Sequence, residues 1–250
     1  MRSVVPPGDR DLTDEDLEDL YRPAGTGRHV RANFVTAVDG AVEVDGRTGG
    51  LGSDDDHRVF ATLRALADVV LVGAETVRRE GYGPARVAAG RRRRREARGQ
   101  RPLPVVAVVT ARALLDPQAR LFAEGGEVPR TLVVTCEAAS PERRRALAEV
   151  AEVVTCGGDS VDLAGALALL GARDLDRVLC EGGPTLVTQM MAGGLLDELC
   201  VTQSPLIAGP GRGQLTAGDS FASPIPLHLE GLLAGDGALA ARYRIEHGRK

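Results

Sequence analysis

Val178-Leu179-Cys180-Glu181-Gly182-Gly183-Pro184-Thr185-Leu186 is the stretch on which the reading of this chain turns. An apolar run ends in a carboxylate, two glycines follow, and a proline opens a helix-like stretch through Met191. Glycine lets a backbone approach a phosphate closely, and a helix N-terminus offers unpaired N–H groups and the positive end of a dipole. Proline suits the first helical position, where its missing N–H costs nothing. The stretch predicts a strand, a turn and a helix, with a nucleotide pyrophosphate at the turn and Glu181 beside it for a second ligand. A tight βα connection with no ligand has the same local pattern, and a Gly-Gly pair alone does not separate the two.

The same alternation extends to both sides. Short Val/Leu runs at 69–73, 105–110, 131–136, 153–156 and 178–181 read as strands, with helices predicted over 141–150, 161–172 and 184–192. Continuous apolar strands between amphipathic helices imply a parallel sheet buried on both faces. Residues 30–38 read as the first strand, ending at the turn Asp39-Gly40, with a second turn at Asp45-Gly46. Ser53 is placed to cap a helix whose first turn holds Asp54, Asp55 and Asp56, where negative charge suits the dipole. Val59, Phe60, Leu63, Leu66 and Ala67 recur at helical spacing, and Arg64 lies at the edge of that apolar face. After Gly194 the alternation stops. Runs at 198–203, 227–233 and 238–245 read as strands without helices between them, hence an antiparallel edge. The expected class is α/β: a mixed sheet, mainly parallel with an antiparallel C-terminal edge, and helices on both faces.

Residues 1–28 read as an arm, with Thr13 capping a short acidic helix over 14–21, and residues 29–250 as a single domain. The five arginines Arg91 to Arg95 read as a solvated, mobile loop. Gly209-Pro210-Gly211-Arg212-Gly213 resembles a phosphate loop, but no apolar helix follows it, so it reads as a flexible crossover.

Composition narrows the function. Of 250 residues, 43% are hydrophobic and 26% charged, with a net charge of −4, the profile of a soluble globular protein that does not seek nucleic acid or an anionic membrane. No apolar run reaches membrane-spanning length and the first residues are not a signal-peptide core, so a cytoplasmic protein is expected. Cys136, Cys156, Cys180 and Cys200 are far apart and read as buried thiols, and His29, His57, His228 and His247 form no cluster with metal-ligand spacing. Lys250 is the only lysine, which argues against Schiff-base chemistry, and there is no nucleophile elbow. Ligands of open α/β sheets bind at the carboxyl ends of the strands. Three such ends carry polar or glycine residues: Gly73 to Thr76, Glu181 to Gly183, and Thr36 to Gly40. A reaction that needs only orientation and a bound hydride donor fits this inventory.

Four segments, RANFVTAVDG (31–40), LRALADVVLVGAETVRREGYGP (63–84), LCEGGPTL (179–186) and LLDELCVTQSPLIAG (195–209), together resemble the pyrimidine reductase domain of riboflavin biosynthesis. That domain is the C-terminal half of the bifunctional deaminase–reductase. The resemblance spans roughly residues 28 to 245 and is nearest to the stand-alone reductases of actinobacteria. It implies a dihydrofolate-reductase-like fold, a homodimer and NADPH as cofactor. The implied reaction reduces the ribosyl group of 5-amino-6-(5-phosphoribosylamino)uracil to ribityl.

Position by position, the resemblance implies cofactor contacts at Gly73, Thr76 and Glu80 and at the turn Gly182, Gly183, Pro184, Thr185 and Leu186. Arg112 is the candidate for the 2′-phosphate of NADPH. Arg64 and Arg86 would meet the substrate phosphate, and Thr48 and Ser53 would flank the substrate. Glu181 would act on the substrate as acceptor and proton relay, with Asp39 shaping the cleft floor. No metal is implied. Two stretches depart from the family: Gly50-Leu51-Gly52-Ser53 lacks a bulky residue before the serine, and Glu80-Gly81-Tyr82-Gly83-Pro84 replaces a stretch with an aspartate pair. Two other readings stay open at this point, a dihydrofolate or pterin reductase on the same fold and a nucleotide-binding protein without catalysis.

Overall fold

Val69-Val70-Leu71-Val72 is apolar at every position because both of its faces are covered. Val69 and Leu71 pack into one core with Leu167, Leu170, Val187 and Met190. Val70 packs on the other side with Leu63 and Leu66, and Val72 with Val77 and Leu147. Side chains alternate across a strand, so a continuous apolar run needs helices on both faces.

The computed structural model describes residues 1–246 apart from 124, 126, 211, 212 and 220. His247, Lys250 and the centre of the 209–213 loop therefore lie outside the described residues. The first half of the chain forms β1 (Arg2–Val5), α1 (Asp14–Tyr21), β2 (His29–Ala37), α2 (Asp54–Leu66), β3 (Val69–Gly73), α3 (Ala74–Glu80), α4 (Ala89–Ala97) and β4 (Val105–Val109). The second half forms β5 (Leu132–Thr135), α5 (Pro141–Ala148), β6 (Glu152–Thr155), α6 (Leu163–Gly171), β7 (Arg177–Cys180), α7 (Pro184–Ala192), β8 (Glu198–Ser204), β9 (Leu227–Gly235) and β10 (Ala238–Ile245).

All ten strands form one sheet in the order β1-β9-β10-β8-β2-β7-β3-β4-β5-β6. From β8 to β6 every pair is parallel. The antiparallel edge is made by β10, β9 and β1. This corrects the expectation for residues 198–203, since β8 runs parallel to β2 and α7 is its crossover helix.

Residues 1–28 are not an arm apart from the core. β1 closes the antiparallel edge, and Leu17 and Tyr21 of α1 are buried against α2 and the sheet. Thr13 caps α1 as expected, in a reciprocal arrangement with Asp16.

The arginine run is not a loop either. It lies in α4, where Arg95 is fully buried and Arg91 nearly so. Arg95 Nη1 donates to the carbonyls of Arg64, Ala65 and Ala67 at 3.3, 3.0 and 2.6 Å. Those carbonyls end α2 and have no partner within the helix, so the guanidinium satisfies them and complements the dipole. Arg91, Arg94 and Arg98 converge on Glu18 of α1 at 3.2, 2.8 and 2.9 Å. Burial works against the Glu18 carboxylate, but Arg94 and Arg98 outweigh it and hold its pKa below the ordinary value. Breaking such a buried cluster from one side costs about 3–5 kcal/mol.

Candidate active site

β3 and β7 are neighbours in the sheet, so the turns that follow them meet. Glu181 N–H donates to the Leu71 carbonyl at 3.0 Å, and Gly73 N–H donates to the Gly182 carbonyl at 2.7 Å. Gly182 has φ +90°, a conformation that favours glycine, and the Gly182–Gly183 peptide is cis. A Cβ on Gly183 would stand 2.8 Å from Thr76 Oγ1, and one on Gly73 would stand 3.3 Å from the Gly183 nitrogen. Side chains are thus excluded from both turns by contact. α7 begins at Pro184 directly after the second turn, and no side chain caps its start.

These turns open onto a cleft of about 1090 Å³. Ligand pockets usually measure about 300–1,000 Å³, so this one has room for a dinucleotide and a second ligand. Of the residues expected to bind cofactor, Gly73, Thr76, Glu80, Arg112, Gly183, Pro184, Thr185 and Leu186 line it. Gly182 sits one step behind, against Phe34. Arg112 follows the C-terminal end of β4. Arg78 braces that wall by donating to the Leu114 carbonyl at 2.7 Å.

Glu181 also lines the cleft. Its two oxygens accept from Arg64 Nε and Nη2, both at 2.7 Å, a bidentate pair whose side chains are 5% and 17% exposed. Arg64 also donates to Tyr82 Oη at 2.8 Å and lies over the Phe60 ring at 4.3 Å. Burial works against the Arg64 charge, but Glu181 outweighs it and the guanidinium pKa stays above its ordinary value. Arg64 stands behind Glu181, so its first contact is the carboxylate, not the open cleft.

Thr48 lines the cleft from the opposite side. Its N–H and hydroxyl both meet Glu80 Oε1, at 3.2 and 3.4 Å. Arg79 Nη2 donates to Glu43 Oε2 at 2.7 Å and to the Gly46 carbonyl at 3.2 Å. Adjacent residues of α3 thus hold the 43–50 loop over the site.

Three further expected site residues, besides Arg64 and Gly182, do not line the cleft. Asp39 is exposed and off the cleft, accepting from the N–H groups of Ala208 and Gly209 at 3.0 and 2.8 Å. The Gly209 hydrogen bond is the main reason its pKa falls below the ordinary value. Ser53 caps α2, its hydroxyl accepting from Asp56 N–H at 3.1 Å. Arg86 is exposed and does not line the cleft. Asn33, Asp56 and His57, which sequence reasoning left aside, do line it. Asp56 had been assigned to charge at a helix start, which concealed it; an acidic residue that turns out to be buried is the signal that reveals it.

The doubly covered parallel sheet, its antiparallel edge and this strand-end cleft give the mixed α/β fold of the pyrimidine reductases. The RibD C-terminal domain model matches residues 28–236, and the chain belongs to that family. It is 30% identical over 196 residues to the 2,5-diamino-6-ribosylamino-4(3H)-pyrimidinone 5′-phosphate reductase of Archaeoglobus fulgidus, covering 77% of this chain and 88% of that protein. Its identity to the reductase of the same name from Methanothermobacter thermautotrophicus is 33% over 193 residues, covering 76% and 83%. Among solved structures, a pyrimidine reductase-like protein of Corynebacterium diphtheriae superposes with a TM-score of 0.85 at 28% identity, covering 94% of this chain and 100% of that one.

Proposed function

We propose that this chain reduces the ribosyl group of a phosphorylated 6-ribosylaminopyrimidine to ribityl, with NADPH, in riboflavin biosynthesis. The observation that carries the reading is the pair of abutting glycine turns beside Glu181, in a chain similar to two archaeal proteins that bear the reductase name. The residues fit a dinucleotide: two turns closed to side chains, a proline-initiated helix start and Arg112 on the far wall. Gly73, Thr76 and residues 182–186 would hold the pyrophosphate and nicotinamide, and Arg112 the 2′-phosphate. When bound, the nicotinamide supplies a hydride to the anomeric carbon of the opened sugar. Glu181 accepts a hydrogen bond from the substrate and relays a proton, its carboxylate fixed in place by Arg64. The 43–50 loop covers the site and limits water.

The proposal includes a cytoplasmic homodimer. Leu206, Ile207, Leu227 and Leu229, all exposed, supply apolar surface for its contact. Loss of NADPH absorbance with the ribosylaminopyrimidine phosphate, run beside dihydrofolate, tests the function. Oxidation with the pyrimidine alone is expected; oxidation with dihydrofolate alone would replace the reading with the pterin one.

A further inference from the structure

Tyr82 stands in the stretch Glu80-Gly81-Tyr82-Gly83-Pro84, where this chain departs from the pyrimidine reductases it resembles. α3 ends there: Gly81 takes the left-handed conformation at φ +59°, and Tyr82 N–H donates back to the Val77 carbonyl at 3.0 Å. This is a glycine-dependent helix end, and it fixes the backbone of the residue that follows. Arg120 Nη2 donates to the Gly81 carbonyl at 2.9 Å, and the Tyr82 side chain packs beside the core that holds Val77 and Ala85. Tyr82 lines the cleft together with Glu181 and Phe60.

Its hydroxyl is committed on the acceptor side only. Tyr82 Oη accepts from Arg64 Nη2 at 2.8 Å, and the same nitrogen donates to Glu181 Oε2 at 2.7 Å. A guanidinium has donors and no acceptor, so the phenol proton cannot go to Arg64. Among the described residues no acceptor takes it. Glu181 stands differently: both its oxygens accept from Arg64, and an ionised carboxylate is an acceptor only. Of the two groups that Arg64 holds at the cleft wall, the phenol has a proton to give and the carboxylate does not.

The geometry points to Tyr82 as the general acid of the ribosyl reduction. The assignment rests on the functional reading above and adds the group that first gives up the proton. The C1′–O4′ bond of the ribosyl ring breaks as the pyrimidine-linked nitrogen uses its lone pair to form a C1′=N double bond. Tyr82 Oη gives its proton to O4′, which departs as the 4′-hydroxyl. Glu181, ionised, accepts from the N–H of that nitrogen and offsets the positive charge it carries while double-bonded. C1′ then takes the hydride, and the electron pair of the C=N bond returns to nitrogen. Arg64, already bonded to the phenol oxygen, meets the charge left on it without reorganising. The phenolate regains a proton from solvent by way of Glu181, so each turnover consumes one NADPH and one proton.

The test follows loss of NADPH absorbance in a single turnover with the ribosylaminopyrimidine phosphate, from about pH 6 to about pH 11. It compares wild type, Tyr82→Phe and protein carrying 3-fluorotyrosine at position 82. The charged and titratable groups around Tyr82 are Arg64 from α2, Glu181 after β7, Glu80 at the end of α3 and Arg120, and His57 also lines the cleft. Guanidinium stays charged across that range, and carboxylates and imidazole titrate on its acid side, so an alkaline fall in rate belongs to the phenol. Tyr82→Phe should slow the turnover by about a hundredfold or more, the scale of a general acid, and should lose the alkaline fall. Its NADPH affinity and its KM for the pyrimidine should stay within about threefold of wild type. Fluorotyrosine, a stronger acid, should move the fall to lower pH, whereas a residue that only braces Arg64 would leave it in place. A fall retained by Tyr82→Phe or unmoved by the fluorinated phenol, or a Tyr82→Phe rate within about threefold of wild type, would overturn the inference and leave the reductase reading intact. A wild type that oxidises no NADPH with the pyrimidine would remove that reading and the inference together. The fluorinated protein keeps the phenol, so it decides even where Tyr82→Phe does not fold.

Discussion

Arg64 and Glu181, 117 residues apart in sequence, hold each other through two parallel hydrogen bonds of 2.7 Å at the wall of the cleft. The arginine comes from the last turn of α2 and the glutamate directly follows β7, so the pair fixes the carboxylate against the sheet. Glu181→Gln keeps the shape but leaves the Arg64 charge half-buried without its counter-ion. Turnover should fall at least tenfold, the scale of one charged hydrogen bond, with NADPH affinity unchanged in a fluorescence titration. Equal activity would remove Glu181 from the chemistry.

The turn after β7 offers a steric test. Gly183→Val would drive a branched side chain into Thr76 Oγ1, already 2.8 Å from a bare Cβ. NADPH affinity should drop by two powers of ten or more, while the far-ultraviolet circular dichroism stays that of the wild type. Retained affinity would place the pyrophosphate elsewhere.

Arg95→Ala removes the cation that satisfies the last carbonyls of α2 and leaves a cavity at a fully buried position. The expected loss is about 3–5 kcal/mol in urea unfolding. A loss below about 1 kcal/mol would mean that water replaces the guanidinium at no cost.

His29 gives the pH dependence. Burial, with Arg31, Arg242 and Arg177 adding to it, lowers its pKa to about 3. Unfolded histidine takes up its proton near pH 6.5, so between pH 6.5 and 3 the unfolded chain binds more protons than the folded one. Stability from the neutral imidazole is complete above about pH 6.5 and falls as the pH drops, by up to about 1.4 kcal/mol per unit. His29→Gln should flatten this slope in urea midpoints at pH 7, 6 and 5, and an unchanged slope would assign it to other groups.

The central elements were legible because their patterns are local. α7 follows from Gly183 and Pro184, and α2 from Ser53 and its apolar stripe. What was hidden depends on distant partners. β1 is four residues long and becomes a strand only against β9, while α1 is acidic along most of its length and buries only Leu17, Tyr21 and the charged Glu18. Arg91 and Arg95 are helical and buried because Glu18 and the end of α2 await them, and no pattern within 91–95 reveals that. Asp39 sits in a recognisable motif, yet its carboxylate serves the backbone of Ala208 and Gly209, some 170 residues away. In the site, the glycine turns were readable from their spacing; Asn33 and Asp56 were not, since only packing brings them to the cleft wall.

The place of β2 has a consequence for synthesis. Its strand partners are β7 and β8, whose paired residues run from Arg177 to Ser204. β2 leaves the ribosome with neither neighbour yet made, and its apolar residues stay uncovered until four-fifths of the chain has been translated. Chain growth thus gives no early stopping point at which the middle of this sheet is complete. Truncated products ending before residue 204 would expose an unpaired central strand, which makes them ready substrates for chaperones, proteases or aggregation.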